Sequence, residues 1–226
     1  MNCVKCGEEK SPNNTATDAG NNEWNISGMC EKCFDSVTFY VDTEKAYEIY
    51  DSFVVNLIGD GCILAGGALR KLVNAHDTLC DYDLFFTSEE SFSKTKEVLE
   101  ESERFSKIFQ CPEDKLVSCK DEQGVKVQLI KKRIYKDLTD VISSFDITAC
   151  CAAWDKVNFR SNERFIFDVL HKKINLNTVE YPVATLKRIL KYSHKGYKMS
   201  SEACKEYVKM VSVMELSDED LEFYID

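Results

Sequence analysis

Two carboxylates and two glycines carry the clearest chemistry in the chain. Asp81 and Asp83 stand two apart in Asp81-Tyr82-Asp83-Leu84-Phe85-Phe86, a stretch with the apolar character of a strand. On a strand, that spacing sends both carboxylates to one face and Tyr82 to the other, so the pair can share divalent cations. Upstream, Ile63-Leu64-Ala65-Gly66-Gly67-Ala68-Leu69-Arg70 reads as a strand, a glycine turn and a helix start. The first N–H groups of a helix lack intrahelical partners and the dipole adds positive potential, which suits a phosphate. Alone, a Gly-Gly pair is usually just a turn and Asp-x-Asp at a strand start is often a solvated edge. In this order, a phosphate cradle followed by paired carboxylates describes metal-dependent phosphoryl or nucleotidyl transfer.

A second set of ligand-type residues lies at the N-terminus, in Cys3-x-x-Cys6-Gly7 and Cys30-x-x-Cys33. Two such turns place four thiolates around a tetrahedral Zn²⁺ at about 2.3 Å, and Gly7 permits the tight turn after the first pair. A closed four-Cys site has no open coordination position, so the metal staples a fold and does not catalyse. The intervening stretch, with Ser11-Pro12-Asn13-Asn14 and Gly20-Asn21-Asn22, is too polar to make a hydrophobic core by itself. A zinc ribbon over residues 1–36 follows, with stability or docking on a partner protein as its role. Phe34, Val37, Phe39 and Val41 then alternate as a half-buried strand would. Of the eleven cysteines, those outside the ribbon sit in apolar segments and read as buried small hydrophobes. No motif links His76, His171 or His194 to any of them.

The elements that must position these groups are legible in the hydrophobic periodicity. Thr43 can cap a helix carrying Ala46, Tyr50, Phe53, Val54 and Leu57 and ending at Gly59. Strands are expected at 62–65, 82–87, 105–110, 116–120, 125–130 and 147–154, and helices at 68–74, 88–103 and 137–143, with helix again from Val183 onward. The fold class is α+β, a mixed sheet flanked by helices, organised as 1–36, 37–176 and a helical segment 177–226. A chain of 226 residues with 44% hydrophobic content can build such a core. The longest apolar run, Phe53 to Leu69, is broken by Asn56, Asp60 and glycines, so no membrane span is expected, and the N-terminus lacks the apolar core of a signal peptide. The expected location is cytoplasmic. Net charge −10 disfavours sequence-independent tracking along nucleic acid, although Lys187, Arg188, Lys191, Lys195 and Lys198 form a local basic run and Asp218, Glu219, Asp220, Glu222 and Asp226 an acidic tail.

Gly66-Gly67-Ala68-Leu69-Arg70 with Asp81-Tyr82-Asp83-Leu84 resembles the signature of the DNA polymerase β-like nucleotidyltransferase superfamily, and within it the head domain of the CCA-adding enzyme and bacterial poly(A) polymerase group. Phe145-Asp146-Ile147-Thr148-Ala149-Cys150-Cys151-Ala152-Ala153 resembles a second motif of that group. Phe167-Asp168-Val169-Leu170 with Lys172, Lys173 and Ile174 resembles the strand and helix that follow, and Leu186-Lys187-Arg188-Ile189-Leu190-Lys191-Tyr192 the helix that opens the neck domain. The resemblance implies transfer of a nucleoside monophosphate from a nucleoside triphosphate to a hydroxyl, on RNA or on protein. Asp81 and Asp83 would hold two Mg²⁺ ions about 3.5–4 Å apart. Gly66 and Gly67 would bind the triphosphate, Arg70 would meet the pyrophosphate or the ribose, and Arg188 and Lys191 would read the base or grip the acceptor. Without the resemblance, Arg188 and Lys191 read equally well as an exposed basic face pairing with the acidic tail.

The chain departs from the pattern at Lys71, Phe145 and Gln128, where family members carry Asp, Arg and a third carboxylate. Asp146 could supply that carboxylate, or two could suffice. The same departures support another reading, a regulatory module that keeps the nucleotidyltransferase fold without the activity and docks through its zinc ribbon.

Overall fold

Short central strands buried along nearly their whole length, and caps that stop one helix and start the next, set the architecture. The computed structural model describes residues 2–4, 6–15, 21, 24–25, 28–31, 33, 43–77, 81–111 and 115–214. They fall into two compact units, Met1–Thr43 and Glu44–Asp226.

In the first unit, each cysteine pair is set by a tight turn. Gly7 has φ 77° and donates its N–H to Cys3 O at 2.9 Å, while Cys3 N–H donates to Glu8 O at 2.7 Å. Gly28, at φ 71°, precedes the second pair and accepts from Val4 N–H at 3.0 Å. Trp24 and Met29 are buried together with Cys3 and Cys30. The unit therefore has a small apolar centre that the polar composition around it concealed. The strand expected around Phe34 to Val41 lies outside the described residues, as does the acidic tail.

The second unit begins with two helices where one was expected, α1 (Thr43–Ile49) and α2 (Ser52–Leu57). The break falls at Asp51, whose carboxylate accepts from the N–H groups of Phe53 and Val54 at 3.0 and 3.3 Å and so caps a new helix. There follow β1 (Cys62–Ala65), a 3₁₀ turn (Gly66–Leu69), α3 (Arg70–Val73), β2 (Tyr82–Phe86), α4 (Glu89–Glu101), β3 (Ser106–Gln110), β4 (Leu116–Lys120) and β5 (Lys126–Ile130). Next are α5 (Leu138–Ser143), a 3₁₀ turn (Thr148–Cys150), β6 (Ala152–Trp154), β7 (Phe159–Ser161), α6 (Phe165–His171), β8 (Lys173–Ile174), α7 (Pro182–His194), β9 (Lys198–Met199) and α8 (Ser201–Ser212).

Two expectations change in this region. Only the second half of 147–154 pairs as a strand, because Thr148 is drawn out of the sheet: its hydroxyl bonds the Asp168 carboxylate and its N–H donates to Asn175 O at 3.0 Å. Phe167-Asp168-Val169-Leu170, expected to open on a strand, lies inside α6, and its Asp168 is the buried partner of that threonine.

Among the described residues, seven strands form a mixed sheet in the order β3-β4-β5-β2-β1-β6-β7, in which β2 and β5 run parallel, and β8 and β9 form a separate parallel pair. Strand periodicity divides the central strands between two layers. Leu84 and Phe86 pack toward α4, with the Phe86 and Phe92 rings 5.2 Å apart. Tyr82 points the same way and meets Tyr50 at 6.0 Å. Ile63, Ala65, Phe85 and Ala153 face Leu138, Val141 and Ile142 of α5. Among the described residues, no helix is long and apolar enough to cross a membrane.

Candidate functional site

The parallel pairing of β2 with β5 places Asp83 opposite Gln128. Because directly paired residues share a face, Asp81, Asp83 and Phe85 join Gln128 and Ile130 along one wall of a cavity of about 380 Å³. The facing wall is α7. Its residues Ala184, Thr185, Arg188, Lys191, Tyr192 and Lys195 recur at helical spacing and all line the cavity. Gly67, Phe145 and Asp146 are among the residues that close it. An acidic strand wall thus confronts a basic helix wall across a space large enough for a small ligand.

Asp83 brings a buried carboxyl to it. Its Oδ1 is shut off from solvent with no hydrogen-bond partner among the described residues. Burial pushes its carboxyl up to about 7, and the charge of Asp81 adds to this against the pull of Lys126, Lys191 and Arg188. Two carboxylates on one face, one of them without a partner, fit a divalent cation, which would satisfy the orphaned oxygen and offset the like charges. The glycine turn is shaped around the same group. Gly66 has φ 83°, and a Cβ there would stand 3.1 Å from the Phe145 ring and 3.4 Å from Asp83 Oδ2. Only glycine lets backbone, aromatic ring and carboxylate approach so closely.

Asp146 is brought to the cavity but is already engaged. Its Oδ2 accepts from Thr185 Oγ1 at 2.9 Å and from Arg188 at 2.5 Å. Asn177 fixes the backbone on which it stands, donating its N–H to Asp146 O and its side-chain amide to Phe145 O, each at 2.8 Å. Gln128, where the resemblance implied a third carboxylate, is buried and donates Nε2 to Ser118 Oγ at 3.0 Å.

Arg70 is not brought to the cavity. Its side chain is wholly buried, ion-paired with Asp77 at 3.2 Å and stacked against the Tyr192 and Tyr197 rings at 4.7 and 5.8 Å. From there it supports Tyr192 from behind, so the expected contact with a pyrophosphate or ribose has no basis in its position. Lys71, the other departure from the motif, bonds Ala75 O and Asp77 O at 2.5 and 3.0 Å and fixes the chain after α3.

Lys126 and Thr185 were not singled out in the sequence. Lys126 sits one strand period before Gln128, and its Nζ lies 2.9 Å from Asp81 Oδ2. Thr185 sits one helical turn before Arg188 on the same α7 face. Periodicity could have flagged both only once their elements were known to face the aspartates.

In the first unit, the Sγ atoms of Cys3, Cys6, Cys30 and Cys33 all lie within 4.8 Å of one another, a set that could hold a metal ion. Cys6 Sγ and Cys30 Sγ are 3.9 Å apart, close to the roughly 3.8 Å edge of a tetrahedron with 2.3 Å Zn–S bonds.

Comparison with known proteins bears on the fold that carries this site. Among solved structures, the chain is similar to a CCA-adding enzyme in complex with ATP, at TM-score 0.57 and 15% identity over 80% of this chain and 49% of that one. It is similar also to a CCA-adding enzyme in complex with CTP, at TM-score 0.55 and 15% identity over 75% and 46% of the two chains. A third is the Thermotoga maritima CCA-adding enzyme complexed with tRNA, at TM-score 0.51 and 13% identity over 79% and 48%. At such identities the likeness is one of fold, and the chain has the nucleotidyltransferase-like fold that its motifs implied. It spans about half the length of those enzymes. No curated protein matches it. The sequence model of the Gabija anti-defense 2 family matches residues 29–172, most of the chain, and the chain belongs to that family.

Proposed function

From membership in the Gabija anti-defense 2 family and the nucleotidyltransferase-like fold, we propose that this chain binds a nucleoside triphosphate with Mg²⁺ between β2 and α7 and transfers the nucleoside monophosphate to a hydroxyl, and that this transfer counters the Gabija defence. The observation that carries the reading is the buried, unpartnered Asp83 oxygen beside Asp81, opposite a basic helix face. Asp81 and Asp83 would hold the cation, which when bound offsets triphosphate charge and favours displacement at the α-phosphorus.

The remaining roles fall to groups of the chain itself. Gly66 and Gly67 open a 3₁₀ turn whose first N–H groups lack helical partners and suit phosphate oxygens. Arg188 and Lys191 hold anionic phosphate from the α7 side, with Arg188 oriented by Asp146 and Thr185. Asp146 is then a positioning group and not a third metal-holding carboxylate. The acceptor oxygen bonds to the α-phosphorus, its proton leaves to water, and pyrophosphate departs. The acceptor is an RNA 3′ end or a protein hydroxyl. The four cysteines hold a structural Zn²⁺ and present the first unit for docking on a partner protein.

Gln128 at the Asp83 register and the commitment of Asp146 to Arg188 favour a second reading, in which the site binds nucleotide without transferring it. Incubating the protein with labelled nucleoside triphosphates, Mg²⁺, mixed RNA and the proteins of a Gabija system separates the two. Label on RNA or protein that disappears in Asp81→Ala supports transfer. Mg²⁺-dependent nucleotide binding that is lost in Asp83→Asn, with no label on any acceptor, supports the binding module. Absence of both label and binding overturns both.

A further inference from the structure

Lys126 is the charged neighbour of the carboxylate pair that the transfer reading leaves unused. The parallel register that pairs Tyr82 with Val127 sets Lys126 beside Asp81, on the β5 face that also carries Gln128 and Ile130. Its ammonium is 2.9 Å from Asp81 Oδ2, and 25% of the lysine and 37% of the aspartate side chain is exposed. One of the two carboxylates thus has a positive partner within the chain, while the other keeps a buried oxygen with no hydrogen-bond partner among the described residues.

We propose that Lys126 is a tethered cation that competes with the divalent metal for Asp81, so that the site takes a single divalent cation, held through Asp83 and bound weakly until Lys126 is drawn away. The inference rests on the reading that Asp81 and Asp83 hold a cation. Charge along β5 agrees with it: the residues on that face of the strand are Lys126, Gln128 and Ile130, of which the last two line the cavity, and none of them can supply the extra negative charge a second metal needs. The charge of Lys126 also reaches Asp83, where it opposes the upward push of burial.

An ammonium and a divalent ion sharing one carboxylate repel each other, and at a partly exposed site this weakens metal affinity on the order of tenfold. The triphosphate gives Lys126 another anion to pair with. Nucleotide and metal should therefore each tighten the other's binding, as linkage requires. Metal occupancy is in this way made conditional on nucleotide.

The test is titration of the zinc-loaded full chain with Mn²⁺, followed by the electron paramagnetic resonance signal of the free ion. Expected are one Mn²⁺ per chain lost in Asp83→Asn, an affinity about tenfold tighter in Lys126→Met, and an affinity that stays weak in Lys126→Arg. A nonhydrolysable nucleotide should tighten Mn²⁺ binding in the parent chain and do so less in Lys126→Met. Near-ultraviolet circular dichroism checks that each variant keeps its fold, and Lys126→Gln repeats the measurement if Lys126→Met does not. Mn²⁺ binding lost in Asp83→Asn but unchanged or weakened in Lys126→Met and Lys126→Gln would overturn the role of Lys126 and leave the carboxylate site standing. Two Mn²⁺ bound by the parent chain would overturn it as well. No Mn²⁺ bound by the parent or by either Lys126 variant would overturn the carboxylate site itself.

Discussion

The same residue type does opposite work in the two units of this chain. In the first, four cysteines converge with all sulfur atoms within 4.8 Å of one another. Thiols so placed repel as thiolates unless a cation lies among them, so they serve order only as ligands. In the second, Cys62, Cys150 and Cys151 are scattered through the core, each buried. Burial pushes the Cys62 thiol up to about 12 and the Cys150 thiol up to about 11, so both stay neutral and pack as small hydrophobes. What separates the two cases is the apolar surface around them. The first unit buries Trp24 and Met29; the second buries Leu64, Leu84, Phe86, Leu129 and Trp154 within a seven-stranded sheet. One unit has a ligand set that could hold a metal ion and little apolar surface, and the other is held by packing.

The strongest challenge to that contrast is metal removal. Structural zinc contributes apparent binding energies of about 10–16 kcal/mol, which no cluster around one indole and one thioether can replace. Cys30→Ser, or chelation of the wild-type protein, should abolish amide dispersion and protection throughout the first unit while the signals of the second stay in place. Collapse of both units together would show that the second depends on the metal too. The mirror experiment is Phe86→Ala. Phe86 is fully buried against Phe92, away from the cavity. Its truncation should cost the second unit about 3–5 kcal/mol in denaturant unfolding and leave zinc stoichiometry at one.

A smaller effect is expected where packing meets the site. Gly66→Ala asks an L residue to hold φ 83° and puts a Cβ 3.1 Å from the Phe145 ring. About 1–3 kcal/mol of stability should be lost. The larger consequence should appear in nucleotide binding, since the Phe145 ring must give way directly beside the Asp83 carboxylate. Calorimetry with Mg²⁺ and a nonhydrolysable nucleotide checks this. Unchanged affinity would mean that the glycine turn is a fold feature only.

Much of this was legible because short-range rules governed it. The cysteine spacing, the alternation that sends Asp81 and Asp83 one way and Tyr82 the other, and the Ser88 cap of α4 each follow from residues close in sequence. What stayed hidden depended on pairing. Nothing near Lys126 indicates that its strand lies parallel to β2 with Asp81 alongside. Arg70 follows the glycines as a phosphate ligand would, yet Asp77, just past the helix it opens, and Tyr192 and Tyr197, from far along the chain, claim its guanidinium. The long first helix failed for a similar reason: apolar periodicity runs through Asp51, but a distant arginine helps to make that aspartate a cap.

That arginine gives the smallest expected effect, and acid shows where it acts. Arg104 donates to Asp51 from both terminal nitrogens at 3.0 and 2.7 Å, and to Asp121 from Nε and a terminal nitrogen at 3.0 and 2.8 Å. It ties the start of α2 to the turn between β4 and β5. Burial alone would raise the Asp51 carboxyl, but the Arg104 hydrogen bond and the N–H groups of Val54 and Phe53 outweigh it and hold the group below its usual range. Asp121 is held down in the same way by Arg104 and Val125 N–H against its own burial. Carboxylates with depressed values bind fewer protons folded than unfolded. Their contribution is therefore present above the ordinary carboxylate range and is lost as pH falls through the depressed values. Arg104→Met should lower the second unit's melting midpoint by roughly 2–4 °C at pH 7, with the gap to wild type closing as pH falls below the ordinary carboxylate range. The first unit should already have released its metal at less acidic pH, because protons compete for thiolates before they reach these carboxylates. Melting curves across pH should then show the units parting in that order, and an Arg104→Met difference that persisted undiminished into acid would mean that the arginine acts through packing on Phe53 and Phe105, not through charge.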